Sequence, residues 1–148
     1  MTIHIRAATP ADAAAILRLN EAFNDARATE AEIQQQLLRC QGIETLLLAE
    51  VDNQAVGFLC LRLLPQICNS ATYAEVNELF VEAPYRRHGV AQALMQRAAE
   101  LAQTAGADEL ILLTGFDNTS AQRFYHAQDF AHYGIAMHKR LQATSHSS

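Results

Sequence analysis

The chain has 148 residues, half of them hydrophobic and 18% charged, with a net charge of -5. That is the size of one ordinary domain, able to bury roughly 70% of the surface its unfolded chain exposes. No apolar run approaches the ~20 residues of a membrane helix, the acidic balance argues against a nucleic-acid partner, and "MTIHIRAATP" lacks the charged head and apolar core of a signal peptide.

"HIRAAT" alternates and predicts a first strand. In "TPADAAAILRLNEAF" Thr9 is placed as N-cap and Pro10 as the first helical residue, with Ile16, Leu19 and Phe23 at helical spacing. "TEAEIQQQLLRC" is a second helix, where Thr29 and Glu32 form a capping box and Gly42 follows as terminator. Two apolar strands, "TLLLAEV" and "AVGFLCLRLL", flank the turn residues Asp52 and Asn53 and read as a hairpin. After the loop "PQICNSAT" comes the strand "YAEVNELFVE", which stops at "APYRR".

"GVAQALMQRAAELAQTAG" is a long helix with Val90, Leu94, Ala98 and Ala102 on one stripe and Gly106 at its end. "ELILLTG" predicts a buried strand, "NTSAQRFYHAQ" a short helix capped by Asn118, and "FAHYGIAMHKRL" a last strand. Residues 142–148 are expected to form a disordered tail after a domain spanning 1–141. The order β-α-α-β-β-β-α-β-α-β needs a parallel pair after residue 82, because a β-α-β crossover demands one. The expected class is therefore α/β, a mixed sheet with helices on its faces.

The three cysteines are odd in number and show no C-x-x-C spacing, so no disulfide framework or zinc site is expected. Cys40 and Cys60 sit in apolar surroundings as small hydrophobes, and a reducing cytoplasm is the natural setting. His4, His88, His126, His132, His138 and His146 are scattered over different elements, which suggests no metal site.

The stretch "APYRRHGVAQALM" carries the chemistry. A helix amino terminus offers free N–H groups and a partial positive charge, and stabilises an anion there. Gly89 lets a phosphate approach the main chain and permits a positive φ, Arg86 and Arg87 add fork-shaped donors, and Ala91 keeps the first turn slim. Two arginines near a glycine also read as a solvated loop. A G-K-S or G-K-T P-loop and the three-glycine dinucleotide fingerprint are both absent.

"RRHGVA" matches the R/Q-x-x-G-x-G/A motif and, with "NTSAQRFYHAQDF" downstream, resembles the GNAT superfamily of acetyl-CoA-dependent N-acetyltransferases, in element order too over residues 3–141. Asp129 departs from the glycine usual before Phe130. The resemblance implies a single-domain fold, a mostly antiparallel sheet of six to seven strands flanked by about four helices. It implies acetyl-CoA as donor, with main-chain groups of Leu79, Phe80 and Val81 along the pantetheine arm. The diphosphate would rest on the amides of Arg87, His88, Gly89, Val90, Ala91 and Gln92, with Arg86 or Arg87 supplying charge. Asn118 would meet the cofactor, or act simply as an N-cap.

The implied reaction moves an acetyl group to an amine by direct attack in a ternary complex. Tyr125 would protonate the departing thiolate; alternatively it packs with Phe124. Glu75 and Glu78 are the candidate bases, or parts of a solvated strand face, with water as the alternative carrier of the proton; strict alternation puts them on opposite sides of the strand, and the resemblance implies a bulge here that would break that parity. The acceptor is expected to be a small-molecule amine held by the first two helices, their joining segment and the "PQICNSAT" loop, with Asp25, Glu30, Glu32 and Tyr73 in reach. A protein amino terminus or lysine as acceptor and a non-catalytic acetyl-CoA sensor are the alternatives. A homodimer through the last strand is a further implication.

Overall fold

The computed structural model describes residues 1–24 and 28–142. Asp25 and all of the expected tail but Gln142 lie outside the described residues. The chain falls into two compact units, dividing between Leu112 and Leu113. The first holds β1 (Ile3–Ala7), α1 (Ala13–Asn24), α2 (Glu30–Arg39), β2 (Glu44–Val51), β3 (Gln54–Leu64), β4 (Tyr73–Val81), α3 (Val90–Thr104) and β5 (Ile111–Leu112). The second carries α4 (Thr119–Ala127). Among the described residues no helix is long and apolar enough to cross a membrane.

The sheet runs β1-β2-β3-β4-β5, antiparallel except for the parallel β4–β5 pair. The hairpin between β2 and β3 turns on Asp52 and Asn53, both at positive φ, as a two-residue loop matching strand twist requires. The capping box of α2 is formed, with Glu32 N–H donating to Thr29 Oγ1 at 3.2 Å and Thr29 N–H to Glu32 Oε2 at 2.7 Å. Ahead of α1 the chain makes a 3-10 turn over Pro10–Asp12 rather than continuing the α-helix back to Pro10. Asp12 anchors that turn: it accepts from Thr9 N–H at 2.7 Å and from both terminal nitrogens of Arg6 at 2.9 and 2.8 Å. Arg6 also reaches Glu50 at 2.8 Å, so one guanidinium joins β1, β2 and the entry to α1.

The sheet is covered on both faces. Ile16 and Leu19 of α1 pack with Leu48, Phe58, Cys60 and Phe80 on one face, and Ile33 and Leu37 of α2 close over them. Leu47, Leu59 and Leu61 have the opposite parity and are fully or almost fully buried. On that side lies α3, which packs along β1 to β4 and buries Val90, Leu94, Met95, Ala98 and Ala102.

Among the described residues the sheet has five strands rather than six or seven. β5 is two residues long instead of the expected seven, and residues 130–141 form no strand. Alternation is present in that last segment, with Tyr133, Ile135, Met137 and Leu141 on one parity, yet all four are exposed. Alternation selects a face; only hydrogen bonding to a neighbour makes a strand.

At Gly57 the β4 backbone leaves no room on β3 for a side chain. A Cβ there would lie 2.7 Å from the Phe80 carbonyl oxygen. Gly57→Ala is expected to destabilise the fold by about 1 to 3 kcal/mol in urea unfolding. The Arg6 hydrogen bonds hold the Asp12 carboxyl at about 2. A folded value depressed below the usual ~3.9 contributes stability that is present above that value and lost as pH falls toward 2. Wild-type stability should therefore drop more steeply than that of Asp12→Asn between pH ~4 and ~2 in a denaturation series.

Candidate functional site

On its β3 side, β4 is paired along its whole length, from Tyr73 opposite Leu64 to Val81 opposite Gly57. On its other side β5 reaches only Glu75 and Val76. Beyond Val76 that edge of β4 has no strand beside it among the described residues. A single bond identifies which groups face the opening. Glu82 N–H donates to Val56 O at 2.9 Å, so Glu82 and, two residues back, Phe80 turn their main chain toward β3. Leu79 and Val81 therefore present theirs to the open edge. Of the three residues expected to hold a pantetheine arm, Phe80 has its backbone spent inside the sheet.

The register of β4 shifts between Val76, opposite Leu61, and Glu78, opposite Cys60, leaving Asn77 as the extra residue of a bulge. The bulge bends the strand where its pairing to β5 ends. It also corrects the alternation expectation. Glu75 pairs with Arg62 and Glu78 with Cys60, so both carboxylates lie on the α1–α2 face of the sheet rather than on opposite faces.

Their surroundings differ. Glu75 accepts from Tyr73 O–H at 2.6 Å, a bond that pushes the phenol of Tyr73 up from its ordinary value. Glu78 accepts from Asn24 Nδ2 at 3.2 Å, and the same amide nitrogen is 3.2 Å from Asn20 Oδ1. Asn20 and Asn24 were not singled out in the sequence. Their i, i+4 spacing on a helix is a visible signal, but the contact of Asn24 with Glu78, 54 residues away, is not.

From Val81 the chain passes through a 3-10 turn over Ala83–Tyr85 and extended Arg86 into Arg87 at φ 63° and Gly89 at φ 85°. Gly89 is the N-cap of α3, and a Cβ on it would meet nothing within 4 Å. Its role is conformational, and it leaves the space in front of the helix clear. The first helical bond of α3 runs from Ala93 N–H to Gly89 O, so the amides of Val90, Ala91 and Gln92 precede the ladder and carry the positive end of the dipole.

Arg86 does not reach forward. Its Nε donates to Val81 O at 2.9 Å and its guanidinium lies 5.7 Å over the Phe80 ring. It braces the strand end, while Arg87 and His88 are exposed beside the helix mouth. Arg18 makes a second brace, bonding Glu82 and, at 2.7 Å, Ala55 O.

In the second unit, Asn118 caps α4 by accepting from Ala121 N–H at 3.3 Å. Tyr125 lies edge-on to Phe124 at 5.5 Å and to Phe130 at 5.8 Å, and burial pushes its phenol up from the usual value near 10. Asp129 adopts φ 66°, so a residue other than glycine serves the left-handed turn after α4. Among the described residues no three His, Cys, Asp or Glu side chains are grouped to hold a metal ion.

Residues 12–130 match the profile of the acetyltransferase (GNAT) family. Over 85 residues, 57% of this chain, the sequence is 35% identical to an uncharacterized N-acetyltransferase of Archaeoglobus fulgidus, and the chain spans only 58% of that relative's length. The fold resembles that of the aminoglycoside acetyltransferase AAC(6')-Iy, solved with a bisubstrate analogue, at a TM-score of 0.84 and 19% identity over 96% of this chain and 99% of the other. It also resembles the ribosomal-protein-alanine N-acetyltransferase of Brucella melitensis at a TM-score of 0.82 and 21% identity over 95% and 100%.

The braces make a prediction independent of any ligand. Arg86→Ala should lower stability by about 1 kcal/mol, the worth of one partly exposed charged hydrogen bond. Arg87→Gly should hold or raise stability, because it relieves a left-handed φ. Chemical denaturation of the two variants reads both.

Proposed function

The chain belongs to the acetyltransferase (GNAT) family, and from that premise we propose that it moves the acetyl group of acetyl-CoA to a primary amine of a small molecule, by direct attack in a ternary complex. The observation that carries this reading is the continuity of two sets of main-chain donors. The open edge of β4 ends at Val81, and the amide-rich mouth of α3 begins at Gly89. An extended thioester with a diphosphate at its far end suits that pair: the edge adds it as a strand would be added, and the helix mouth takes the anion.

In this reading Leu79 and Val81 bond the arm, and the Val81 N–H stabilises the oxyanion of the tetrahedral intermediate. The amides of Gly89, Val90, Ala91 and Gln92 hold the diphosphate, with Arg87 and His88 adding charge nearby. Arg86 keeps Val81 aimed. Asn118 orders α4 for its part in cofactor binding.

The proton balance follows. The acceptor arrives as an ammonium and must lose a proton; Glu78 takes it, directly or through water. The C–N bond forms, the C–S bond breaks, the leaving thiolate takes a proton from Tyr125, and the second proton shed by the acylated nitrogen passes through water to restore the phenol. A phenol whose pKa is raised by burial is fully protonated at neutral pH, as a donor must be. Glu75, engaged by Tyr73, is the weaker candidate for base. The reading takes residues 1–141 as one catalytic domain in a reducing cytoplasm, with a homodimer through the apolar segment 130–141.

Tyr125→Phe should lower kcat by ~100-fold, the scale of one lost proton donor, while calorimetry finds acetyl-CoA affinity nearly unchanged. Thiol release from acetyl-CoA over a panel of amines tests the reading as a whole. Acetyl-CoA binding without turnover of any amine would leave only a sensor.

A further inference from the structure

We infer that the open cleft between α1, α2 and the sheet is an acceptor pocket for a compact primary amine with one cationic head and an apolar body, such as an arylethylamine, and not for a polycationic amino sugar. This rests on the acetyl-transfer reading above.

Volume is the first argument. The cavity measures about 270 Å³. That is less than twice the ~150 Å³ that accommodates benzene, and below the range of sites for drug-sized ligands. A single ring with a short amine chain is accommodated whole; a three-ring aminoglycoside would have to leave most of its body outside the cleft.

The lining is the second. Ile16, Ile33, Leu37, Leu46 and Phe58 form an apolar wall, which the neutral amides of Asn20, Asn24 and Gln36 interrupt. Two thiols, Cys40 and Cys60, extend it, and burial pushes the Cys60 thiol well up, so it adds no charge. Two carboxylates reach the cavity. Glu44 bonds Arg62 Nε at 2.7 Å, and Glu78 bonds the Asn24 amide. A polycation needs acceptors around its whole body. Here aliphatic, aromatic and thiol groups occupy most of the wall.

The third is direction. Among the described residues Glu78 is the one β4 residue on the cavity wall, and it immediately precedes Leu79, whose main chain faces the open edge. An ammonium drawn to Glu78 stands at the end of the cavity next to the edge proposed to hold the thioester, with its apolar body pointing back under α2. The bulge at Asn77 places Glu78 on this face.

The test uses the full chain, 2-phenylethylamine and tobramycin, with two variants that narrow the cavity from α2: Ile33→Trp, and Gln36→Trp at its exposed rim. Acetyl-CoA binding serves as the folding control. We expect kcat/KM for 2-phenylethylamine to exceed that for tobramycin by about 100-fold, and each variant to weaken 2-phenylethylamine binding by about ten-fold in calorimetry. Tobramycin used as well as 2-phenylethylamine, or both variants binding 2-phenylethylamine like the parent, overturns the inference. If 2-phenylethylamine binds and the variants weaken it, yet no amine is acetylated, the pocket stands and the acetyl-transfer reading fails. If other amines are acetylated while 2-phenylethylamine neither binds nor reacts, the reading stands and the pocket assignment fails.

Discussion

A strand that loses its neighbour halfway along must still satisfy its backbone hydrogen-bonding groups. β4 is such a strand: past Val76 its outer edge has no strand partner among the described residues, while β3 holds the inner edge to the end. The protein answers part of this need itself, with Arg86 reaching back to the Val81 carbonyl. The N–H groups of Leu79 and Val81 remain directed at the opening. The bulge at Asn77 lies where that opening begins, and Gly57 on β3 leaves the space that the Phe80 carbonyl and Val81 occupy.

The second set of donors follows from the first by covalent continuity. Seven residues separate Val81 from Gly89, and they are held by braces rather than by sheet. Arg86 and Arg18 pin the start of this connection to Val81 and Ala55, and left-handed Arg87 and Gly89 turn the chain into α3. A strand edge and a helix mouth are thereby joined through a short stiff link. In the proposed reading this arrangement takes the cofactor through backbone groups and leaves the Glu78 side chain for proton transfer.

Much of this was legible in sequence because it is local. The capping box at Thr29, the hairpin at Asp52–Asn53, the long helix after Gly89 and the N-cap Asn118 each depend on residues a few positions apart. What was not legible depends on partners far away. Alternation along "AEVNELF" separates Glu75 from Glu78, and only the register against Cys60 and Leu61 reveals that Asn77 is bulged out and that the two carboxylates share a face. The link from Asn24 to Glu78 spans helix and sheet. The two arginines looked equivalent in the motif, yet one is turned back on its own strand and the other faces solvent. The last segment has a strand's pattern without a strand's pairing, and no pattern within a segment reports its neighbour.

The most direct test of this account is an amide-resolved NMR titration with acetyl-CoA. The account predicts that the backbone amides of Leu79 and Val81, and those of Gly89, Val90, Ala91 and Gln92, shift together in one binding event, while Phe80, hydrogen-bonded within the sheet, moves less. Binding of acetyl-CoA that left the Val81 and Gly89–Gln92 amides unperturbed would contradict it.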